Sequence, residues 1–227
     1  MPGRAWTAAA GVACNRGVAD GLVWYVSYGA NMAAERLRCY IAGGTPPGGS
    51  RANPGCRDRA APREDRAVWV PGGVYFALES PMWGGGLALY DAGLPGRAAA
   101  RAHLVTAGQF ADIAAQEMYR SPGLDVDLAA LRHGGRLSLG EGRYETLVHA
   151  GDLDGRPMVT FTAPWRCADV APARPSAAYL RTLGGGLMDG HGWPARRAAA
   201  YLAGLPGCGH TAAQVTAVLA GGAAPAV

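Results

Sequence analysis

The fold is decided by the stretch LVWYVSYGANMAAERLRCYI, residues 22–41, in which a strand pattern gives way to a helix pattern. Residues 22–27 are mainly apolar and β-branched or aromatic, as in a buried strand. Met32, Arg36 and Cys39 then recur at helical spacing. A tight strand-to-helix junction is therefore predicted between them, formed by Tyr28, Gly29, Ala30 and Asn31.

This junction has two interpretations. Gly29 can adopt backbone angles that other residues avoid, and Asn31 is a favoured helix N-cap. A turn of this kind directs backbone N–H groups and the positive helix end at one small volume, where a carboxylate or an oxyanion can bind. Loops of this length between a strand and a helix are also common as purely structural turns. The spacing alone leaves both interpretations open.

Length and composition indicate a globular protein, either one domain of ordinary size or one domain with appendages. The chain has 227 residues, of which 49% are hydrophobic and 17% charged. No apolar run approaches the roughly 20 residues that a membrane helix needs. We therefore expect a soluble chain without a membrane partner.

The net charge of +4 does not indicate a nucleic-acid partner. All 21 basic residues are arginine, and they are scattered along the chain rather than arranged in a stripe. Together with the many Ala, Gly and Pro residues, this indicates a compositional bias. We expect no nucleic-acid groove.

The cysteines argue against a disulfide framework and against a structural zinc site, because they are odd in number, lie far apart and form no CxxC pair. They are Cys14, Cys39, Cys56, Cys167 and Cys208. A reducing cytoplasm is the simplest location. Residues 1–20 faintly resemble an export signal, but their apolar core is short and interrupted, so we interpret them as a loose leader.

The rest of the chain divides into a main domain, residues 21–171, and a helical extension, residues 172–227, packed on it. Residues 42–66 are rich in Gly, Pro and Arg and predict a long loop or mobile flap within the main domain. The extension predicts two amphipathic helices, the first capped by Ser176 and separated from the second by a glycine-rich break at 184–186 or 190–194.

Several short strands are predicted in the main domain, over residues 68–70, 74–78, 87–90, 101–105, 144–150 and 158–162. Asp154-Gly155 is typical of a hairpin turn between the last two. The cluster Trp83-Gly84-Gly85-Gly86 allows either close backbone approach to a ligand or a bend in a curved sheet, with Trp83 in the core.

A carboxylate occupies a core position in the helix predicted for residues 107–119. Thr106 and Gln109 form a capping-box pattern at its start. Its apolar stripe continues to Glu117. Asp112, Gln116 and Tyr119 lie on other faces of the helix and can be exposed to solvent. Burial would raise the pKa of Glu117 and fit it for proton transfer near neutral pH. The alternative is an exposed pair with a basic residue such as Arg120.

Other catalytic motifs are absent from the sequence. It contains no HExxH zinc motif, no GxSxG elbow and no phosphate-binding P-loop. We therefore expect no metal and no nucleotide cofactor.

Two separated stretches resemble the γ-glutamylcyclotransferase-like family. Tyr28–Met32 resembles its YGSN loop, and Gln116-Glu117 resembles the segment that carries its catalytic glutamate. The Trp-x-Gly-Gly of Trp83–Gly86 lies between them, Gly142–Tyr144 follows, and the likeness covers about residues 22–165. Ala30 stands where the family usually has serine, which leaves open whether that position acts through its backbone or through a hydroxyl.

The resemblance implies an α+β fold, a small mixed β-barrel with flanking helices. It also implies a γ-glutamyl amide as the small-molecule substrate, cyclised to 5-oxoproline with release of an amine and without a cofactor. Glu117 would be the general acid and base, Tyr28–Asn31 the substrate cradle and Tyr144 a pocket wall. The alternatives are a non-catalytic ligand-binding protein of the same fold and an amide hydrolase that uses the same pocket.

Overall fold

The structure, a computed structural model, describes residues 21–47 and 51–221 and has the α+β architecture that the sequence predicts. The strands in this part of the chain are β1 (Leu22–Ser27), β2 (Glu64–Pro71), β3 (Gly73–Ser80), β4 (Gly85–Asp91), β5 (Arg97–Thr106), β6 (Arg136–Ser138), β7 (Thr146–Leu153) and β8 (Arg156–Thr162). The α-helices are α1 (Ala34–Ala42), α2 (Ala107–Glu117), α3 (Leu128–Gly134), α4 (Ala177–His191), α5 (Ala195–Ala203) and α6 (Ala212–Ala220). Residues 1–20, our predicted leader, lie outside the described residues.

Six strands form one mixed sheet in the order β2-β5-β1-β8-β7-β6. β1 and β8 run parallel, with Trp24 opposite Met158, and the other neighbours are antiparallel. β3 and β4 form a separate hairpin. The mixed sheet and its flanking helices confirm the predicted fold class. Within the described ranges, β2 and β6 are the outer strands and do not pair with each other.

β1 lies between two apolar layers, and all six of its residues are buried. Its side chains alternate between the faces of the sheet. Trp24 and Val26 pack into a core shared with the β3–β4 hairpin and helices α4–α6. Val23 and Tyr25 pack into a second core shared with α1, α2 and α3. The apolar run at 22–26 is therefore buried on both faces.

The junction after β1 differs from the prediction in how the helix begins. A short 3-10 turn, Ala30–Met32, precedes α1, so the N-cap of α1 is Ala33, which makes no side-chain cap. The prediction that Asn31 caps this helix is wrong because the turn moves the helix start beyond it. Gly29 has a negative φ, −118°, so it lies outside the left-handed region that favours glycine.

The loop after α1 is held on α1 and α2 by hydrogen bonds of residues 55–60. The Cys56 N–H donates to Ile41 O at 2.8 Å, and Arg57 pairs with Asp112 at 3.0 Å. Burial raises the pKa of the Cys56 thiol to about 12, which makes it unreactive. The last residues of the predicted loop, 64–66, belong to β2 because they pair with β5.

The loop also covers a face of α2 that we predicted could be exposed to solvent. Asp112 and Gln116 are 1% and 7% exposed. Gln116 accepts from the Gly55 N–H at 3.2 Å and donates to Tyr40 O at 2.9 Å. The prediction of exposure was wrong because a helix pattern does not show which segment of a distant loop will pack on it.

Local signals are confirmed. Thr106 Oγ1 accepts from the Gln109 N–H at 3.1 Å, and Gln109 Oε1 accepts from the Thr106 N–H at 2.9 Å. α2 ends at Glu117, two residues earlier than predicted. Asp154 and Gly155 both have positive φ, at 50° and 74°, as a two-residue hairpin turn requires.

α4 runs unbroken through Gly184–Gly186, so of the two breaks that we considered the second is correct: α4 ends at His191 and α5 begins at Ala195. The helix needs small residues at this point because it packs very closely. A Cβ on Gly184 would lie 2.3 Å from Leu219 Cδ2, and one on Gly186 would lie 2.6 Å from Met32 Cβ. Three helices, not two, occupy the described part of the C-terminal segment.

Ser176 caps α4, as predicted, by accepting from the Tyr179 N–H at 3.2 Å. In the part of the chain that the structure describes, no helix is both long enough and apolar enough to cross a membrane.

Candidate functional site

A cavity opens at the end of β1, beside the 3-10 turn. It has about 900 Å³ of empty space, part of which is open to solvent. The loop after β1, helix α1, the end of α2, the β3–β4 turn and the start of α4 all border it. The structure therefore brings the residues of our candidate site to one place: Tyr28, Gly29, Ala30, Asn31, Glu117 and Tyr144 all line this cavity.

Glu117 presents its carboxyl group to this cavity from the last position of α2. The residue has a partly exposed edge at the opening, but burial of the carboxyl group raises its pKa. The charge of Arg36 and hydrogen bonds from Tyr40 and Asn31 oppose this rise. Glu117 has no ion pair within 4 Å among the described residues, and Arg120 pairs with Glu145 instead. The environment favours a carboxyl group that can hold a proton.

Asn31 connects the loop to Glu117. Its Nδ2 donates to Glu117 Oε1 at 2.9 Å and to the Tyr25 hydroxyl at 3.2 Å. The side chain is 4% exposed, and its Oδ1 has no hydrogen-bond partner within the described ranges. A buried acceptor without a donor is uncommon in proteins. A ligand ammonium or amide group could supply that donor.

His103 supports Asn31 from the neighbouring strand β5. It stands opposite Tyr25, with ring centroids 6.2 Å apart, and hydrogen bonds to the backbone of Asn31. Burial lowers the pKa of His103 to about 4, so the ring is neutral at physiological pH. Sequence reasoning missed the contribution of His103 to the site, since the pairing of β1 with β5 is not visible in a local pattern.

The loop itself is anchored by Tyr28, whose hydroxyl donates to Phe161 O at 2.8 Å. Ala30 has only a methyl side chain, so any polar contact of this position with a ligand is made by its backbone. A Cβ on Gly29 would meet only the Tyr179 hydroxyl, at 3.8 Å, which is ordinary contact. Glycine at this position is therefore not explained by strain or by crowding in the empty cavity.

Aromatic side chains form the walls. Tyr144 packs edge-on against Phe161, with centroids 5.8 Å apart, and burial raises its hydroxyl pKa well above the ordinary value. Trp83 stacks on Tyr179 at 5.1 Å; it packs against the core, as predicted, and its partly exposed side also lines the cavity. Tyr179 belongs to α4, so the C-terminal segment contributes to the site. Sequence reasoning interpreted that segment only as an extension and missed this residue.

Among the described residues, the cavity lining includes three arginines, Arg36, Arg51 and Arg143, and one acid, Glu117, so its charge is positive overall. Arg36 is 6% exposed and the other two lie nearer the mouth. An excess of positive charge favours an anionic ligand. In the described residues, no three His, Cys, Asp or Glu side chains converge as a metal site.

Comparison with known proteins gives a limited result. No protein-family model matches the chain. It is 31% identical over 204 residues to histone deacetylase 5 of Arabidopsis thaliana; the match covers 79% of this chain but only 30% of the plant protein. This chain therefore spans less than a third of the length of that relative.

Similar solved structures include a gamma-glutamyl cyclotransferase, with a TM-score of 0.46 and 12% identity, and an uncharacterized protein from Homo sapiens, with 0.47 and 14%. Each likeness covers 88% of this chain and 99% of the other. Both TM-scores are low. The case for a function rests on the residues of the cavity.

Proposed function

We propose that the chain is a γ-glutamylcyclotransferase-like enzyme that releases 5-oxoproline and a free amine from a γ-glutamyl amide. The observation that carries this proposal is the position of Glu117. Its carboxyl group has a raised pKa, accepts from Asn31 at 2.9 Å and shares one cavity with the Tyr28–Asn31 loop.

The reaction needs one group that both removes and returns a proton. The α-ammonium of the γ-glutamyl group first gives a proton to Glu117, and the free amine then attacks the γ-carbonyl carbon. A C–N bond forms in the five-membered ring, and Glu117 gives its proton to the leaving nitrogen as the C–N bond to that nitrogen breaks. The ring nitrogen still carries two protons, so the Glu117 carboxylate accepts one of them and passes it to the departing amine, which leaves as an ammonium ion. A carboxyl group with a pKa raised toward neutrality suits both transfers.

The loop after β1 would bind the charges of the substrate. The first N–H groups of a helical turn have no acceptor within that turn, so those of Gly29–Asn31 can serve a ligand carboxylate or the oxyanion that forms on the γ-carbonyl oxygen. Because this contact uses the backbone, Ala30 in place of serine is compatible with it. The unpaired Asn31 Oδ1 is a suitable acceptor for the α-ammonium.

The cavity walls favour cyclisation over hydrolysis. Tyr144, Phe161 and Tyr179 line the cavity with ring surface. Aromatic walls limit the water available to attack the γ-carbonyl, and a folded γ-glutamyl chain held against them already has its amine close to that carbon. Tyr144 is thus proposed as a pocket wall.

Product analysis tests this proposal. The purified protein is incubated with γ-glutamyl amino acids, γ-glutamyl peptides and γ-glutamyl alkylamides, and the products are identified by mass spectrometry against a protein-free blank. A cyclotransferase yields 5-oxoproline, a hydrolase yields glutamate, and a ligand-binding protein yields neither. Formation of glutamate alone, or of no product, would contradict the proposal.

Substitution of the acid tests the assignment of Glu117. Glu117→Gln keeps the shape and the acceptor for Asn31 but cannot carry the proton, so we expect turnover to fall by about 10²–10⁴-fold. Glu35→Gln, on the exposed side of α1, is the matched control and should retain full turnover. Retained activity in Glu117→Gln would remove the assignment.

A further inference from the structure

Arg36 is a buried cation that forms no ion pair with the residues that the structure describes. Its side chain lies on α1 and lines the cavity. Its Nε and Nη1 atoms have no hydrogen-bond partner among the described residues, and no carboxylate oxygen lies within 4 Å in an ion pair. Its Nη2 donates only to the Met82 sulfur, at 3.6 Å. A thioether is a weak acceptor.

Such an arrangement is unfavourable in the empty protein. Buried charged donors are normally paired, and leaving one without an acceptor destabilises the folded state. The rings of Trp83 and Tyr40, 5.2 and 5.7 Å from the guanidinium carbon, offset part of this destabilisation by cation–π attraction. They supply no hydrogen-bond acceptor in the plane of the guanidinium. The missing partner is therefore an anion that enters the cavity.

We propose that Arg36 binds the α-carboxylate of the γ-glutamyl group, an inference that rests on the proposed function. The α-carboxylate and the α-ammonium are attached to the same carbon atom. Whatever binds the carboxylate must therefore lie close to the base that deprotonates the ammonium. Arg36 is the charged side chain whose field acts on Glu117. Placed there, it also screens the ligand carboxylate from Glu117.

This assignment also implies which group of the substrate the backbone of the loop binds. If Arg36 binds the α-carboxylate, the N–H groups of Gly29–Asn31 remain for the oxyanion on the γ-carbonyl. The carboxylate would replace the Met82 sulfur as the acceptor, and the flexible arginine stem would turn the shielded Nε and Nη1 toward the ligand. A charge-assisted hydrogen bond is considerably stronger than one to a thioether.

The other two arginines of the cavity lining are less buried than Arg36. Arg51 is exposed, with its guanidinium carbon 5.0 Å from the exposed ring of Tyr119. Arg143 already donates to Glu79 O at 3.5 Å. The glutamyl end of the substrate therefore points inward to Arg36, and the leaving group points to the mouth. Recognition should be strict for the α-carboxylate and tolerant of the leaving group.

Calorimetric binding tests this inference without requiring turnover. The probes are 5-oxoproline and 2-pyrrolidinone, which share a lactam ring and differ by the carboxylate. We expect the wild-type protein to prefer 5-oxoproline and Arg36→Met to bind it about 10- to 100-fold more weakly, close to its affinity for 2-pyrrolidinone. Arg36→Lys should recover part of the preference, because it restores the charge without the planar donors.

Arg38→Met is the control, since Arg38 is exposed two residues further along the same helix. It should bind both probes as the wild-type protein does. Thermal melting shows which variants are folded, and Arg36→Lys keeps a buried cation if Arg36→Met is unstable. An unchanged preference for 5-oxoproline in both Arg36 variants would overturn the inference, as would equal or absent binding of the two probes by the wild-type protein.

Failure of this inference differs from failure of the proposed function. If the protein releases 5-oxoproline from γ-glutamyl amides but binds the carboxylate independently of Arg36, the role of Arg36 is wrong and the proposed cyclotransferase activity is still supported. Carboxylate binding lost in Arg36→Met, without any 5-oxoproline production by the wild-type protein, would support the role of Arg36 and overturn the cyclotransferase.

Discussion

Asn31 Nδ2 lies 2.9 Å from Glu117 Oε1, so a single hydrogen bond joins the turn after β1 to the end of α2, 86 residues later. The bond orients the carboxyl group and leaves Asn31 Oδ1 as an unused acceptor beside it. Because both atoms belong to side chains that line the cavity, changes at either residue should be detectable in stability and in pH dependence.

Glu117→Gln should change how stability depends on pH. The folded state raises the pKa of this carboxyl group above 4.5, so it favours the protonated form. The contribution of this carboxyl group to the free energy of unfolding is therefore fully present below pH 4.5 and is lost as pH rises through the folded-state pKa. Gln cannot ionise, so its unfolding free energy relative to the wild-type protein should increase from pH 4 to pH 8. Urea denaturation at several pH values measures this difference, and a constant difference would contradict it.

Asn31→Asp should move the pH dependence of activity upward. The substitution places a second carboxylate beside Glu117, and two adjacent carboxylates cannot both ionise easily. The pair should then retain a shared proton to higher pH, and the pH at which turnover rises should increase. A pH–rate profile measures this, with Asn31→Ala as the comparison that removes the hydrogen bond without adding charge. An unshifted profile in Asn31→Asp would show that Asn31 does not act on Glu117 in the working enzyme.

His103 should make the protein sensitive to acid. Its folded-state pKa of about 4 lies below the ordinary value of 6.5, so the fold favours the neutral ring. The contribution of the neutral ring to the free energy of unfolding is present above pH 6.5 and is lost as pH falls toward 4, by about 3 kcal/mol in total. In His103→Gln that part of the loss should disappear, while His133→Gln, at an exposed position, should behave as the wild-type protein does. Denaturation curves between pH 4 and pH 7 compare the three proteins.

Gly186→Ala should destabilise the protein although Gly185→Ala should not. A Cβ on Gly186 would lie 2.6 Å from Met32 Cβ, and neither atom can rotate away, so α4 and the 3-10 turn must move apart. We expect a loss of about 1–3 kcal/mol and reduced turnover. A Cβ on Gly185 meets nothing within 4 Å, and alanine there should stabilise the helix by about 0.5–1 kcal/mol. Thermal melting of the two variants provides the test, and equal melting temperatures would contradict this account of the packing.

The features that were predicted correctly are those whose partners lie close along the chain. The capping box of Thr106 and Gln109 spans three residues, the Asp154-Gly155 hairpin turn spans two, and the Ser176 cap acts on Tyr179. Hydrogen bonds of this kind form between neighbours whatever the rest of the fold does. A local sequence pattern contains all the information that they need.

The features that were predicted wrongly depend on packing between distant segments. The glycines at 184–186 were one of two breaks that we considered, but α4 continues through them, with α6 and the 3-10 turn packed against that face, and the break lies at the other. Asp112 and Gln116 look exposed, but the loop after α1 covers them. In each case a weak local preference was overruled by burial against a segment that local sequence does not specify.

The sequence by itself determined that β1 is buried, that a tight turn follows it and that Glu117 lies on a mainly apolar helix, because strand and helix periodicities depend on residues only a few positions apart. Only the tertiary structure decided that Asn31 contacts Glu117, that His103 supports Asn31, and that Arg36 is buried in the cavity without an anion. Those relationships join residues on different elements. They exist only because the pairing of β1 with β5 and the packing of the helices against the sheet bring those elements together.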